Sequence, residues 1–132
     1  MKMVADTNTF LAVALNEPEK PQIVRMTTGH ELVAPAVLPF EIGNALTAML
    51  KRGTVSPEQV PAVWNAVQAV PVELRELDLS AALRLAVRFR VYAYDAYFLE
   101  CALSWRLPLL TLDRGMKHIA RELCIPVVEE LR

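Results

Sequence analysis

Short apolar runs that end on an acid recur along this chain, and the segments between them carry apolar residues at helical spacing. Lys2 to Ala5 reads as a strand, and Thr7 to Leu15 as an apolar helix closed by Asn16-Glu17-Pro18. A second helix covers about Glu19 to Thr28, with Gly29 as its stop, and Glu31 to Ala34 is a second strand. The third helix spans about Val37 to Arg52, with Gly53 just past its end. Ser56-Pro57-Glu58-Gln59 is a capping box with Pro at the first helical position, opening a fourth helix that Pro61 should kink or restart. Val72 to Leu77 alternates apolar and charged positions, as an exposed or edge strand does. Asp78 then caps a fifth helix, Leu79 to about Phe89, and a sixth opens at Asp95 and runs to about Trp105. Pro108 to Leu112 reads as a buried strand, Asp113 begins a seventh helix ending near Leu123, and Ile125 to Val128 is the last strand. Strands alternating with helices predict an α/β fold. The expected form is a three-layer sandwich, with a mostly parallel sheet of about four to five strands flanked by helices. No repeat, linker or charge block divides residues 1–132, so one domain is expected.

Composition narrows the function classes. The chain is 54% hydrophobic and 22% charged, which excludes disordered and low-complexity classes. Its formal net charge of -1 argues against a polybasic membrane anchor or a strongly basic nucleic-acid coat. No run approaches the roughly 20 apolar residues of a membrane span. Met1 to Asp6 meets an acid too early for a secretory leader, so the cytoplasm is the expected compartment. Cys101 and Cys124 stand alone in apolar surroundings and are expected as reduced core cysteines.

The acids carry the chemistry. In a parallel sheet, ligands bind beyond the carboxyl ends of the strands. Asp6 follows the first strand and Asp113 follows the strand Leu109 to Leu112, so both arrive at that edge. Asp95 opens an apolar helix, and Glu41 stands in the first turns of the third helix beside Asn44, Ala45 and Ala48. Helix capping accounts for any single one of Asp6, Asp78, Asp95 and Asp113, and it suffices for Asp78, whose strand is peripheral. It does not account for Glu41, nor for three acids converging on one edge with no cluster of Lys or Arg beside them in sequence to neutralise them. Converging carboxylates repel by a few kcal/mol each at intermediate dielectric, and an all-oxygen set of this kind suits Mg²⁺ or Mn²⁺ rather than zinc. Thr7 beside Asp6, and Thr111 two residues before Asp113, could each hold a carboxylate, a metal-bound water or a phosphate oxygen. Arg84, Arg88, Arg90, Lys51 and Arg52 read as surface charge, while Arg114 and Lys117 follow Asp113 and are candidates for RNA phosphate contacts. Tyr92, Tyr94 and Tyr97 could stack bases, although core packing is the simpler account.

Four segments in order resemble the PIN-domain ribonucleases, and most of all the toxins of VapBC toxin–antitoxin pairs. They are Val4-Ala5-Asp6-Thr7-Asn8-Thr9-Phe10, Phe40-Glu41-Ile42-Gly43-Asn44-Ala45-Leu46, Tyr94-Asp95-Ala96-Tyr97-Phe98-Leu99 and Leu110-Thr111-Leu112-Asp113. The resemblance implies a metal-dependent endoribonuclease, often homodimeric, inhibited by a VapB-type antitoxin that can insert an Arg among the acids. It matches Asp6, Glu41, Asp95 and Asp113 to the family's acidic quartet, which binds Mg²⁺ or Mn²⁺, with the fourth acid the most variable. Thr111 matches the family's hydroxyl residue before that fourth acid, and Asn8 and Asn44 match polar positions that support the acids. The implied products carry a 5′-phosphate and a 3′-hydroxyl. Two other readings remain, a catalytically silent PIN fold used for protein binding and a housekeeping RNA-processing nuclease. Two other folds that place an Asp after the first strand fit less well. The haloacid dehalogenase type needs a second acid where Asn8 stands, and a receiver domain needs paired acids and a late Lys.

Overall fold

Residues 1–129 are described by the computed structural model of the chain. In chain order the elements are β1 (Lys2–Ala5), α1 (Thr7–Ala14), α2 (Lys20–Thr27), β2 (Glu31–Pro35), α3 (Leu38–Arg52) and α4 (Gln59–Gln68). There follow β3 (Glu73–Arg75), α5 (Leu79–Phe89), α6 (Ala93–Trp105), β4 (Leu109–Leu110) and α7 (Arg114–Glu122). The strands form one parallel sheet in the order β3-β2-β1-β4, with Val4 opposite both Val33 and Leu109. Helices cover both faces, as the alternating pattern predicts.

The inner strands show why. Met3, Val4 and Ala5 of β1, Val33 and Ala34 of β2, and Leu109 and Leu110 of β4 are all buried. A strand covered on both faces reads as a continuous apolar run, not an alternating one. α6 lies against β1 and β2, burying Phe98, Leu99 and Ala102. Burial of each large side chain of this kind contributes about 1.5–3 kcal/mol. β3 is the edge strand expected from its alternation. Its Glu73 accepts from Arg75 at 2.7 Å and from Lys2 at 3.4 Å, and charge on an edge discourages further pairing.

The strand order reverses between β1 and β4. The chain steps outward from β1 to β2 and β3, then returns to place β4 on the other side of β1. At such a switch point the loops leaving the carboxyl ends diverge and open a crevice. Asp6 and Thr111 flank it.

Several expectations need correction. Helix α6 opens at Ala93 with Tyr92 as its extended N-cap residue, so Asp95 lies inside the first turn and does not open the helix. Pro61 neither kinks nor restarts α4, because it sits in the first turn, where a missing N–H costs no helical bond. The capping box does form, with Ser56 N donating to Gln59 Oε1 at 2.7 Å and Gln59 N to Ser56 Oγ at 3.3 Å. The strand Pro108 to Leu112 shortens to two residues, and the final strand contracts to a single parallel bridge, Leu109 to Val127. Pro126 has no N–H to extend that pairing, though its carbonyl accepts from Leu109 N at 2.8 Å. Cys101 is buried, but Cys124 is exposed, because the chain leaves α7 with Cys124 in the left-handed region at φ 59°. Among the described residues, no helix is long and apolar enough to cross a membrane.

Candidate active site

Asp6 ends β1 in extended backbone and caps α1. Its Oδ1 accepts from the Thr9 backbone N–H at 3.1 Å and from the Thr9 hydroxyl at 2.7 Å. Its Oδ2 accepts from the Thr111 hydroxyl. A carboxylate has about four acceptor positions, so this buried side chain is held rigidly with one direction left open. Burial pushes its carboxyl above the ordinary range, against the opposing pull of Thr111 and Thr9, and the nearby charge of Asp113 adds to the rise.

Glu41 lies in the first turn of α3, where the negative end of its side chain suits the helix dipole. The Thr7 hydroxyl donates to its Oε2 at 2.8 Å. Burial again raises the carboxyl's proton affinity, and the charges of Asp95 and Asp6 raise it further. Asp95 differs from the other three aspartates. Asp6, Asp78 and Asp113 each spend an oxygen capping a helix, on Thr9, Ala81 and Met116 respectively. Asp95 caps nothing, and among the described residues no hydrogen-bond donor or cation reaches its carboxylate. Its proton affinity is raised by burial first, then by Asp113 and Asp6.

Asp6, Thr7, Asn8, Glu41, Asn44 and Asp95 line one cleft of about 260 Å³, together with Tyr94 and Phe98. No Lys or Arg is among its lining residues. Thr111 is not among its lining residues but, fully buried, couples two of the acids. It donates to Asp6 and accepts from the Asp113 backbone N–H at 3.1 Å. Asp113 itself stays exposed at the start of α7, with Oδ1 accepting from Met116 N at 2.9 Å. Arg114 is exposed beside it. Lys117 does not join this cleft. It lines a second groove with Gln22, Arg25 and Met26 of α2, which Thr111 also lines.

Two contacts escape a motif-level reading. Thr9 gives Asp6 both a backbone and a hydroxyl donor, and its place three residues after an N-cap was the available signal. Tyr94 receives a hydrogen bond from Asn44 Nδ2 at 2.5 Å, a contact between α6 and α3 that no local pattern announces.

The donors fit a hard divalent cation in kind, since the cleft offers carboxylate, hydroxyl and amide oxygens and neither thiolate nor imidazole. Among the described residues, no three acid, His or Cys side chains close up tightly enough to grip one ion alone. An ion held by one or two carboxylates and completed by water, the usual state of Mg²⁺, is the arrangement these residues suit.

Comparison with known proteins agrees with this architecture. The PIN-domain family matches residues 3–122. Ribonuclease VapC3 of Pyrobaculum aerophilum is 28% identical over 121 residues, covering 88% of this chain and 92% of that protein. The crystal structure of PAE2754 from Pyrobaculum aerophilum superposes with a TM-score of 0.64 at 21% identity, covering 94% of this chain and 98% of that one.

Proposed function

The chain belongs to the PIN-domain family, and we propose that it is a divalent-metal-dependent endoribonuclease, the toxin of a type II pair acting in the cytoplasm and inhibited by a VapB-type antitoxin. One observation carries the nuclease reading: Asp6, Glu41 and Asp95 face one cleft at the strand switch point with no cation in its lining. The toxin reading is supported by similarity to a ribonuclease named VapC3. Bound in the cleft, Mg²⁺ or Mn²⁺ would supply an acidified water and offset charge on the scissile phosphate.

The chain's own residues divide the remaining work. Asp6, fixed by Thr9 and Thr111, presents its open lone pair to the ion. Asp95, free of capping, would be the second carboxylate to hold it. Glu41 has a raised proton affinity and is held by Thr7, so it is suited to accept the water's proton. Asp113, whose charge reaches Asp6 and Asp95, would help to hold the ion from outside the cleft lining, while Arg114 would offer an exposed phosphate contact. Asn8 and Asn44 line the same cleft and orient substrate or water. An antitoxin Arg entering this cleft would find three carboxylates without a cation partner.

A second copy of the chain is the proposed partner for α5. Leu79, Leu83 and Val87 form an exposed stripe along it. Glu76 and Asp78 stand at its N-terminal end, and Arg88 and Arg90 at its C-terminal end. Antiparallel pairing of two α5 helices about Leu83 sets each acidic end against a basic one. Leu83→Asp should shift the protein from dimer to monomer in sedimentation, whereas a wild-type monomer at high concentration excludes this pairing.

The nuclease reading is tested with purified protein and RNA in Mg²⁺, Mn²⁺ or EDTA. Metal-dependent cleavage leaving 5′-phosphate ends, lost in Glu41→Gln, is expected. Cleavage that persists in EDTA or in Glu41→Gln, or no cleavage of any RNA in either metal, overturns it.

A further inference from the structure

We infer that Tyr94 is a stacking platform for one unpaired nucleobase of a single-stranded RNA, seated beside the carboxylate cleft. This inference rests on the nuclease reading and names the form of RNA the cleft accepts.

Tyr94 precedes Asp95 in the first turn of α6, so the helix that delivers a carboxylate to the cleft also delivers this ring. Core packing does not account for it, since Tyr94 is 42% exposed. Nor is it a loose surface side chain. Its hydroxyl accepts from Asn44 Nδ2 at 2.5 Å, and its ring meets Tyr97 edge-to-face, centroids 5.8 Å apart and planes at 85°. Tyr94 is thus anchored at its far end by α3 and braced by its own helix, while much of its surface remains open. A rigid aromatic of this sort binds a flat partner at little cost in side-chain entropy.

The electrostatics say which flat partner. A cleft with three carboxylates and no Lys or Arg repels phosphate. A nucleobase is neutral at pH 7, so stacking is one attraction the cleft can offer RNA without a cation. Every base has a π-face, and such stacking contributes on the order of 5- to 100-fold in affinity per base. Bases in a duplex have both faces covered, so the platform selects single strands, loops or splayed ends. Phe40 and Tyr92 are exposed by 74% and 85% and flank Glu41 and the start of α6, but only Tyr94 lines the cleft.

The test uses the full chain in EDTA, which blocks metal-dependent cleavage, with a short fluorescein-labelled single-stranded RNA and its duplex form. Tyr94→Leu should weaken single-strand binding on the order of 5- to 100-fold while changing duplex binding little. Tyr94→Phe, which keeps the ring and loses only the Asn44 contact, should stay near wild type. The loss should not track salt, because stacking releases no counterions. A walk of single abasic substitutions gives a measurement independent of any protein variant. One position should cost wild type as much as Tyr94→Leu does and should cost that variant nothing more. Unchanged single-strand binding by Tyr94→Leu, an equal loss on duplex, or a flat abasic walk overturns the platform. If wild type nevertheless cleaves RNA with Mg²⁺ or Mn²⁺, the nuclease reading stands and the platform alone falls. If wild type neither binds nor cleaves any RNA, both fall.

Discussion

Replacing Asp95 by Asn removes one negative charge from the cleft and no structural contact, because this carboxylate caps no helix and accepts no hydrogen bond among the described residues. Asn has nearly the same shape, so the packing of α6 is preserved. The charge it replaces is opposed by Asp113 and Asp6 and by partial burial. Like charges within a cleft of this size repel by on the order of 2 kcal/mol at an effective dielectric of about 20. Salt and the open mouth of the cleft reduce the combined effect to about 1–2 kcal/mol. Asp95→Asn should therefore be more stable than wild type when no divalent ion is present. For a domain of this size that is a rise in Tm of roughly 3–8 °C, read by scanning calorimetry in EDTA. Adding Mn²⁺ should then raise the Tm of wild type, since the proposed ion site exists only in the folded chain, and raise that of the variant much less. A variant that melts below wild type in EDTA would show that Asp95 has a structural partner. Equal Mn²⁺ increments for the two proteins would refute its place as a ligand.

Three further outcomes follow from the same geometry. Asp6→Ala deletes the α1 cap and strands the buried Thr111 hydroxyl, so it should lose about 2–4 kcal/mol, roughly 10 °C in Tm. Asp6→Asn keeps the Oδ1 acceptor for Thr9 and should fold, so calorimetry that finds the two variants equally unstable contradicts the capping role. Thr111→Val removes the bridge between Asp6 and the Asp113 backbone and should cost about 1–3 kcal/mol. It should also weaken Mn²⁺ binding by about 10- to 100-fold in titration calorimetry, and an undiminished affinity would show that Asp6 needs no such support. Asp6, Glu41 and Asp95 all bind protons more readily folded than free, so their stabilising contribution is complete below the unfolded values of 3.8 and 4.5. It is lost as pH rises through the raised folded values. The Tm gain of Asp95→Asn in EDTA should thus be full at neutral pH and vanish below about pH 3.8, and a gain that persists in acid is not electrostatic.

Much of this protein was legible before its structure. A β-strand buried on both faces must be apolar throughout, and a helix interleaved with such strands must show one apolar stripe. Val4, Ala5, Leu109 and Leu110 therefore announced their strands, and Leu38, Ile42 and Leu46 their helix. Because every strand in the sheet is parallel, the acid following each run had to arrive at the same edge. That argument needs no distances, and it placed Asp6, with Glu41 and Asp95 joining it in the cleft.

The tertiary structure decided what each acid is free to do, because lone pairs are shared out by neighbours distant in sequence. Asp6 and Asp95 look alike as residues, yet Asp6 is spent on Thr9 and on Thr111 from the end of the neighbouring strand β4, while Asp95 is spent on nothing. The step from strand order β2 to β4 across β1 brought Thr111 under Asp6, and the packing of α6 near α3 brought Asn44 to Tyr94. Lys117 shows the same limit from the other side. One turn along α7 from Arg114, it lines a groove with α2, because packing against other elements, and not spacing along the helix, settles which cavity a side chain meets. The sequence determined at which edge of the sheet Asp6 and Asp113 arrive, since the apolar runs that precede them are local in the chain. Only the folded chain determined which side chains share the cleft, since that depends on elements meeting across the fold.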